Sequence, residues 1–194
     1  MTTPRELRLV DLTGGGDYAV KSLPVASLRV LEKSPIQLQT GTFTQGSNTV
    51  LLNNSAEVAY SRWEFLFEMP TAGTSFQINF INDFGSTLKV GLTDTGFYFV
   101  DRSQAGISGF GGSGFAALNL GPACTLSPGQ DLDMLLYMDG GSIELFAEDG
   151  LSVMTETVFP ENGAYNRVEL SVSGGGGDVL LKTATGFGLN SIWS

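Results

Sequence analysis

The sequence predicts an all-β chain folded as an antiparallel, jelly-roll-like sandwich of two sheets. Three observations carry that prediction. The 194 residues include 26 glycines and 13 phenylalanines, and no long Ala/Leu/Glu/Lys stretch interrupts them, which favours short strands and tight turns over helices. Apolar residues alternate with polar ones segment after segment, the period of a strand with one buried face. Turn signals built on glycine separate those segments at close spacing. With 42% hydrophobic and 15% charged residues, the chain has material for one sizeable core, and one folded domain of this size buries roughly 70% of the surface its unfolded chain exposes.

Taken in order, residues 5–10 and 17–31 carry apolar runs separated by Thr13-Gly14-Gly15-Gly16. Pro24 and Pro35 bracket Val25 to Leu31, which reads as an edge strand or a linker. Residues 1–31 are therefore expected to be a leader and linker, and residues 32–194 the sandwich. Trp63, Phe65, Phe67 and Met69 share one face while Arg62, Glu64 and Glu68 share the other, so Trp63 is expected in the core. Phe76, Ile78 and Phe80 repeat the pattern, followed by Leu88, Val90 and Leu92, then Phe97 and Phe99. The break at Asp94-Thr95-Gly96 is a hairpin signal. Leu132, Met134, Leu136 and Met138 form the next face, then Ile143, Leu145 and Ala147, then Val168, Leu170 and Val172. Asp139-Gly140-Gly141 and Asp149-Gly150 supply the positive φ angles that tight hairpins need. About a dozen strands fit, and two packed sheets bury one apolar face from each.

Composition also excludes chemistries. The formal net charge of −10 repels polyanions, so nucleic acid is not an expected partner. No apolar stretch approaches the roughly 20 residues that span a bilayer, and the first residues lack the apolar core of a signal peptide. With no histidine and one cysteine, Cys124, Ser-His-Asp and Cys-His mechanisms and His-bearing zinc sites have no residues to use. The single cysteine precludes an internal disulfide and leaves the compartment open. The glycine clusters at 14–16, 109–114 and 174–177 contain no Gly-Lys-Ser/Thr and read as turns. Asp83, Asp94 and Asp178 lack the spacing of a calcium loop; no metal or cofactor is expected. Asn53-Asn54-Ser55 is a formal glycosylation sequon.

A family resemblance rests on five pieces in order. Met1-Thr2-Thr3-Pro4-Arg5-Glu6-Leu7 opens the chain, and Leu23-Pro24-Val25 follows. Val100-Asp101-Arg102-Ser103-Gln104-Ala105-Gly106 comes next. The run from Leu135 through Asp139-Gly140-Gly141-Ser142-Ile143-Glu144-Leu145-Phe146 continues through Asp149-Gly150 to Val158-Phe159-Pro160. Ser191-Ile192-Trp193 closes the chain. Together these resemble the C-terminal sandwich of glycoside hydrolase family 32, the levanases, inulinases and invertases. Carbohydrate-binding module family 66 is a related sandwich. The resemblance implies a concanavalin-like two-sheet fold. The first piece is similar to the end of that family's five-bladed catalytic propeller and the second to the start of its linker.

The same resemblance marks what is missing. The family's catalytic aspartate lies in a Trp-Met-Asn-Asp-Pro-Asn-like stretch, with an Arg-Asp-Pro aspartate and a Glu-Cys acid/base. No aspartate here precedes a proline, and Cys124 follows Ala123. Nothing marks the pair of carboxyls about 5 Å apart that a retaining glycosidase needs. Glu144 and Glu148 share strand parity but are expected to be solvated near a hairpin turn. Catalysis by this chain alone is not expected. Its implied partners are a catalytic propeller, in the same or an adjacent chain, and a fructan. Free-standing glycan binding and homo-oligomerisation stay open beside docking. Candidate sugar contacts are Asp101 and Arg102, a polar pair following an aromatic strand, with Tyr98 and Glu144. Tyr60, Tyr98 and Tyr137 are expected at the surface. Arg5 and Trp193 are the candidate docking residues.

Overall fold

The computed structural model of the chain describes residues 3–109 and 114–191. Trp193 and the interior of the 109–114 glycine cluster lie outside the described residues. Strands β1 (Arg5–Asp11) and β2 (Tyr18–Pro24) form a hairpin of their own. Then follow β3 (Glu32–Gln37), β4 (Gly41–Phe43), β5 (Asn48–Leu52), β6 (Tyr60–Glu68), β7 (Thr74–Ile81) and β8 (Thr87–Leu92). The second half gives β9 (Phe97–Gln104), β10 (Leu118–Ala123), β11 (Asp131–Asp139), β12 (Ser142–Ala147), β13 (Ser152–Thr157), β14 (Arg167–Gly174) and β15 (Val179–Leu189). Val25 to Leu31, read from sequence as an edge strand or linker, contains a 3-10 turn over Ala26–Leu31. Among the described residues no helix is long and apolar enough to cross a membrane.

Two antiparallel sheets make the sandwich. One runs β10-β9-β8-β7-β14-β5, the other β13-β12-β11-β6-β15-β3, with β4 also pairing β15. The all-β, two-sheet class expected from alternation is the class observed. The sheets meet through aromatic rings: Trp63 of β6 lies 6.3 Å from Phe80 of β7, and Phe67 lies 4.3 Å from Phe76. Such pairs add roughly 0.5–1.5 kcal/mol beyond area burial. Trp63 is fully buried, and its indole N–H donates to Ser61 Oγ at 2.6 Å, whose hydroxyl donates to the Val58 carbonyl at 2.8 Å. That chain removes the cost of an unpaired polar group in the core.

The phase of β9 differs from the expected one. Leu92 faces Tyr98 and Val90 faces Val100, and cross-strand partners point to the same side. Tyr98 and Val100 therefore enter the core, whereas Phe97 and Phe99 turn outward. Aromatic rings at alternate positions fit either face, so composition alone did not fix the parity. Two surface expectations are corrected as well. Tyr98 enters the core with the phase of β9. Tyr137, although on the outer face of β11 opposite Leu136, is covered there beside Phe146 and Arg62, so that of Tyr60, Tyr98 and Tyr137 the first alone is exposed.

Candidate functional site

Two surfaces stand out, one on the outside of each sheet. The first is the seam where the β1–β2 hairpin meets the seven-stranded sheet. Glu144 and Thr155 occupy facing positions on β12 and β13, with Tyr137 beside Glu144 on β11. The Arg5 Nη2 donates to a Glu144 carboxylate oxygen and, at 2.7 Å, to Thr155 Oγ1. Its guanidinium carbon stands 5.0 Å above the Phe146 ring. The Thr3 backbone N–H and hydroxyl donate to the same Glu144 carboxylate at 2.6 and 3.2 Å. Glu144 is 2% exposed, so the expectation of a solvated acid at the hairpin is overturned. Its charge is tolerated inside because a cation and two further donors surround it.

The rest of the seam follows one pattern. Lys21 pairs with Asp149 at 2.6 Å, and the Ser22 N–H donates to the Gly150 carbonyl at 2.9 Å. Gly150 has a φ of +83°, and a Cβ there would lie 2.5 Å from Ser22 O and 2.8 Å from Leu23 Cγ. The turn thus needs glycine twice, for its backbone and for the close approach of β2. Arg62, almost wholly buried, donates to Glu32 at 3.0 Å and to Glu64, and its guanidinium stacks 5.2 Å over Phe187. A cavity of about 410 Å3 lies between the end of β2 and this face, with Leu23, Pro24 and Arg29 on one wall and Arg62 and Tyr137 on the other.

The hairpin touches the sandwich through its base and projects beyond it. Asp11 fastens its tip by accepting the N–H groups of Gly16, Gly14 and Thr13, and the Gly16 bond leads in holding the Asp11 carboxyl below its ordinary value. Leu9 faces Val20 in register, with Leu7 and Tyr18 flanking them on the same face. These four are 69%, 55%, 67% and 63% exposed, respectively. An isolated two-stranded hairpin is marginal in water, and contiguous exposed apolar side chains mark an interaction surface.

The second surface is an open groove of about 330 Å3 outside the six-stranded sheet, where Asp101, Phe99 and Gln77 lie. Lys89 approaches Asp101 at 3.4 Å, and the Ser103 N–H donates to it at 2.9 Å. Partial burial works against ionisation there, yet the Ser103 bonds and Lys89 together keep the Asp101 carboxyl below its ordinary value.

The other sugar candidates are placed elsewhere. Arg102, next in the strand, points away from the groove: it pairs with Glu156 at 3.2 Å, donates to the Thr157 carbonyl at 3.1 Å and lies 4.4 Å over Phe115. Tyr98 is inside the core, its hydroxyl donating to Glu148 at 2.9 Å. Burial, with Cys124 and Glu148 beside it, pushes the phenol far above its ordinary value. Glu148 is buried as well, correcting its expected solvation; it also accepts the Thr125 N–H and hydroxyl. Glu144 belongs to the seam with Arg5. Asp101 and Arg102 therefore do not form one polar fan, because adjacent strand residues point to opposite faces. The sequence reading missed Lys21, Arg62, Asp149 and Thr155; the Asp149-Gly150 turn was the signal nearest to them.

The family described as "Glycosyl hydrolases family 32 C terminal" matches residues 30–188. A levanase of Bacillus subtilis is 28% identical over 98% of this chain and 27% of its own length. A second levanase, from a Bacillus species, is 27% identical over the whole chain and 20% of its own length. The chain thus spans about a quarter of the curated relatives it matches. Among solved structures, an exo-inulinase from Aspergillus awamori superposes with a TM-score of 0.82 at 22% identity, covering 99% of this chain and 36% of that one. A fructan 1-exohydrolase from Cichorium intybus gives 0.77 at 14% identity, covering 98% and 41%. At those identities the likeness concerns the fold.

Proposed function

The chain belongs to the family 32 glycosyl hydrolase C-terminal family, and from that premise we propose that it is the non-catalytic companion of a fructan-cleaving catalytic domain, packing against it and steadying it. Residues 1–31 then supply the closing piece of the catalytic propeller and the linker, and residues 32–194 the sandwich. The observation that carries this reading is the hairpin: pinned at its base by Arg5–Glu144 and Lys21–Asp149, it holds Leu7, Leu9, Tyr18 and Val20 out to solvent. A partner surface that covers those side chains removes apolar area from water at roughly 25 cal/mol per Å2. The similarity to levanases along the whole chain supports fructan as the parent substrate.

The test is co-expression of the full chain with a family 32 catalytic domain lacking its own C-terminal part, that of the Bacillus subtilis levanase. The expected result is a one-to-one complex in which the catalytic domain melts at higher temperature, abolished by Leu9→Asp combined with Val20→Asp. Absence of any complex, with the chain monomeric in sedimentation, would overturn the reading. A dimer of the chain that the same double substitution dissolves would assign the patch to a second copy instead.

A further inference from the structure

We propose that the outer face of the six-stranded sheet is a binding groove for an uncharged oligosaccharide. This goes beyond docking, since the hairpin meets the other sheet. Strand register builds the groove. Across the sheet, Leu120, Phe99, Gly91, Gln77, Ser171 and Asn48 stand in one row, and Leu118, Asp101 and Lys89 lie in the next. Gly91 lets β8 and β7 approach closely at this row, since a Cβ on it would lie 2.0 Å from the Phe76 carbonyl oxygen. The groove over Phe99, Asp101 and Gln77 extends toward the β8–β9 turn at Asp94 and the end of β14 at Ser173. Its volume of about 330 Å3 falls inside the range of roughly 300–1,000 Å3 typical of small-molecule sites.

The chemistry of the lining selects the ligand. Among the described residues the Gln77 amide, the Ser173 hydroxyl and the Asp94 carboxylate make no side-chain hydrogen bond. An amide, a hydroxyl and carboxylates together offer donors and acceptors in alternation, which a sugar hydroxyl satisfies because it both donates and accepts. Leu118, 53% exposed, makes an apolar wall beside the edge of Phe99, a match for the C–H face of a pyranose or furanose ring. Asp94 and Asp101 exclude an anionic ligand, the more so on a chain of net charge −10. Lys89, the cation at the rim, is turned to Asp101. Because the groove and the hairpin lie on opposite sheets, a glycan and a catalytic domain occupy the chain together.

The experiment is an NMR titration of the full chain with inulin-type and levan-type fructo-oligosaccharides, cello-oligosaccharides and manno-oligosaccharides, with polygalacturonate as the anionic probe. Saturable shifts of the Gln77 side-chain amide and the Leu118 methyls are expected with at least one neutral sugar. Gln77→Ala and Ser173→Trp, both on the sheet surface, are expected to weaken binding at least about tenfold while leaving the melting temperature and the complex with the catalytic domain unchanged. No shift with any neutral sugar, preference for polygalacturonate, or undiminished binding by both variants would overturn the groove. The docking reading stands or falls separately, on the hairpin substitutions.

Discussion

Carboxylates at hairpin turns are ordinarily solvated, and here Asp133, Glu144 and Glu148 are drawn inward by their neighbours. Asp133 gives the clearest consequence. It accepts the Asp149 backbone N–H at 3.0 Å, but burial, followed by the nearby Asp149 and Glu148 charges, raises its carboxyl above the ordinary value. The folded chain then keeps this proton to higher pH than the unfolded chain, whose value is about 3.9. Stability from this group falls as pH rises from the unfolded value through the folded one. Asp133→Asn retains an accepting oxygen and cannot ionise, so it should be more stable than the parent at neutral pH, with the gap closing in acid. Thermal melts of both chains from roughly pH 3 to pH 8 measure it; a gap independent of pH would contradict the assignment. Asp101 has the opposite sign. Its carboxyl lies below the ordinary value despite partial burial, through Ser103 and Lys89, so its contribution is present above the unfolded value and lost as pH falls through the folded one.

At the scale of elements, two glycines separate the stability of the sandwich from that of the seam. Gly186 of β15 lies beside Trp63, and a Cβ there would fall within the Trp63 ring; Gly186→Ala should overpack the core and cost about 1–3 kcal/mol, seen as a lower melting temperature of the whole domain. Gly150→Ala meets β2 and also strains its own β12–β13 turn at a φ of +83°. It should therefore raise hydrogen exchange in the hairpin far more than in the β6 and β7 core, and lower the main transition less than Gly186→Ala does. If both variants lowered the main transition equally, hairpin and sandwich would be one cooperative unit. The same division explains what could be read in advance. Strands such as β6, β7 and β11 bury one face and wet the other, and their alternation declares them. The sheet-to-sheet order and the parity of β9 depend on pairing between distant segments, which alternation within Phe97-Tyr98-Phe99-Val100 leaves undetermined. Asp101 was legible as polar residue after an aromatic strand. That Glu144 holds Arg5 was not, because the partners are 139 residues apart and no local pattern links them.

For the molecule as a whole, charge acts in opposite directions on its two parts. Residues before β3 are held to the sandwich largely by ion pairs: Arg5–Glu144, Lys21–Asp149 at 2.6 Å and Arg29–Glu64 at 3.6 Å. The sandwich is held by its apolar interior and, with 6 basic and 17 acidic residues over 32–194, carries a formal charge of −11 against +1 on residues 1–31, a self-repulsion that salt relieves. The Debye length contracts from about 10 Å at 0.1 M to about 3 Å at 1 M, and a partly exposed pair is worth up to about 1 kcal/mol. Raising salt should therefore loosen the hairpin and tighten the sandwich at once. In hydrogen exchange, the backbone amides of the hairpin should exchange about fivefold faster at 1 M salt, the equivalent of one such pair, while core amides of β6 and β7 slow or hold. Uniform slowing across both parts would mean that apolar contact around Leu23 and Pro24, rather than charge, fastens the hairpin. In that case the cavity between β2 and the seven-stranded sheet would be the place to strengthen the seam, by filling it.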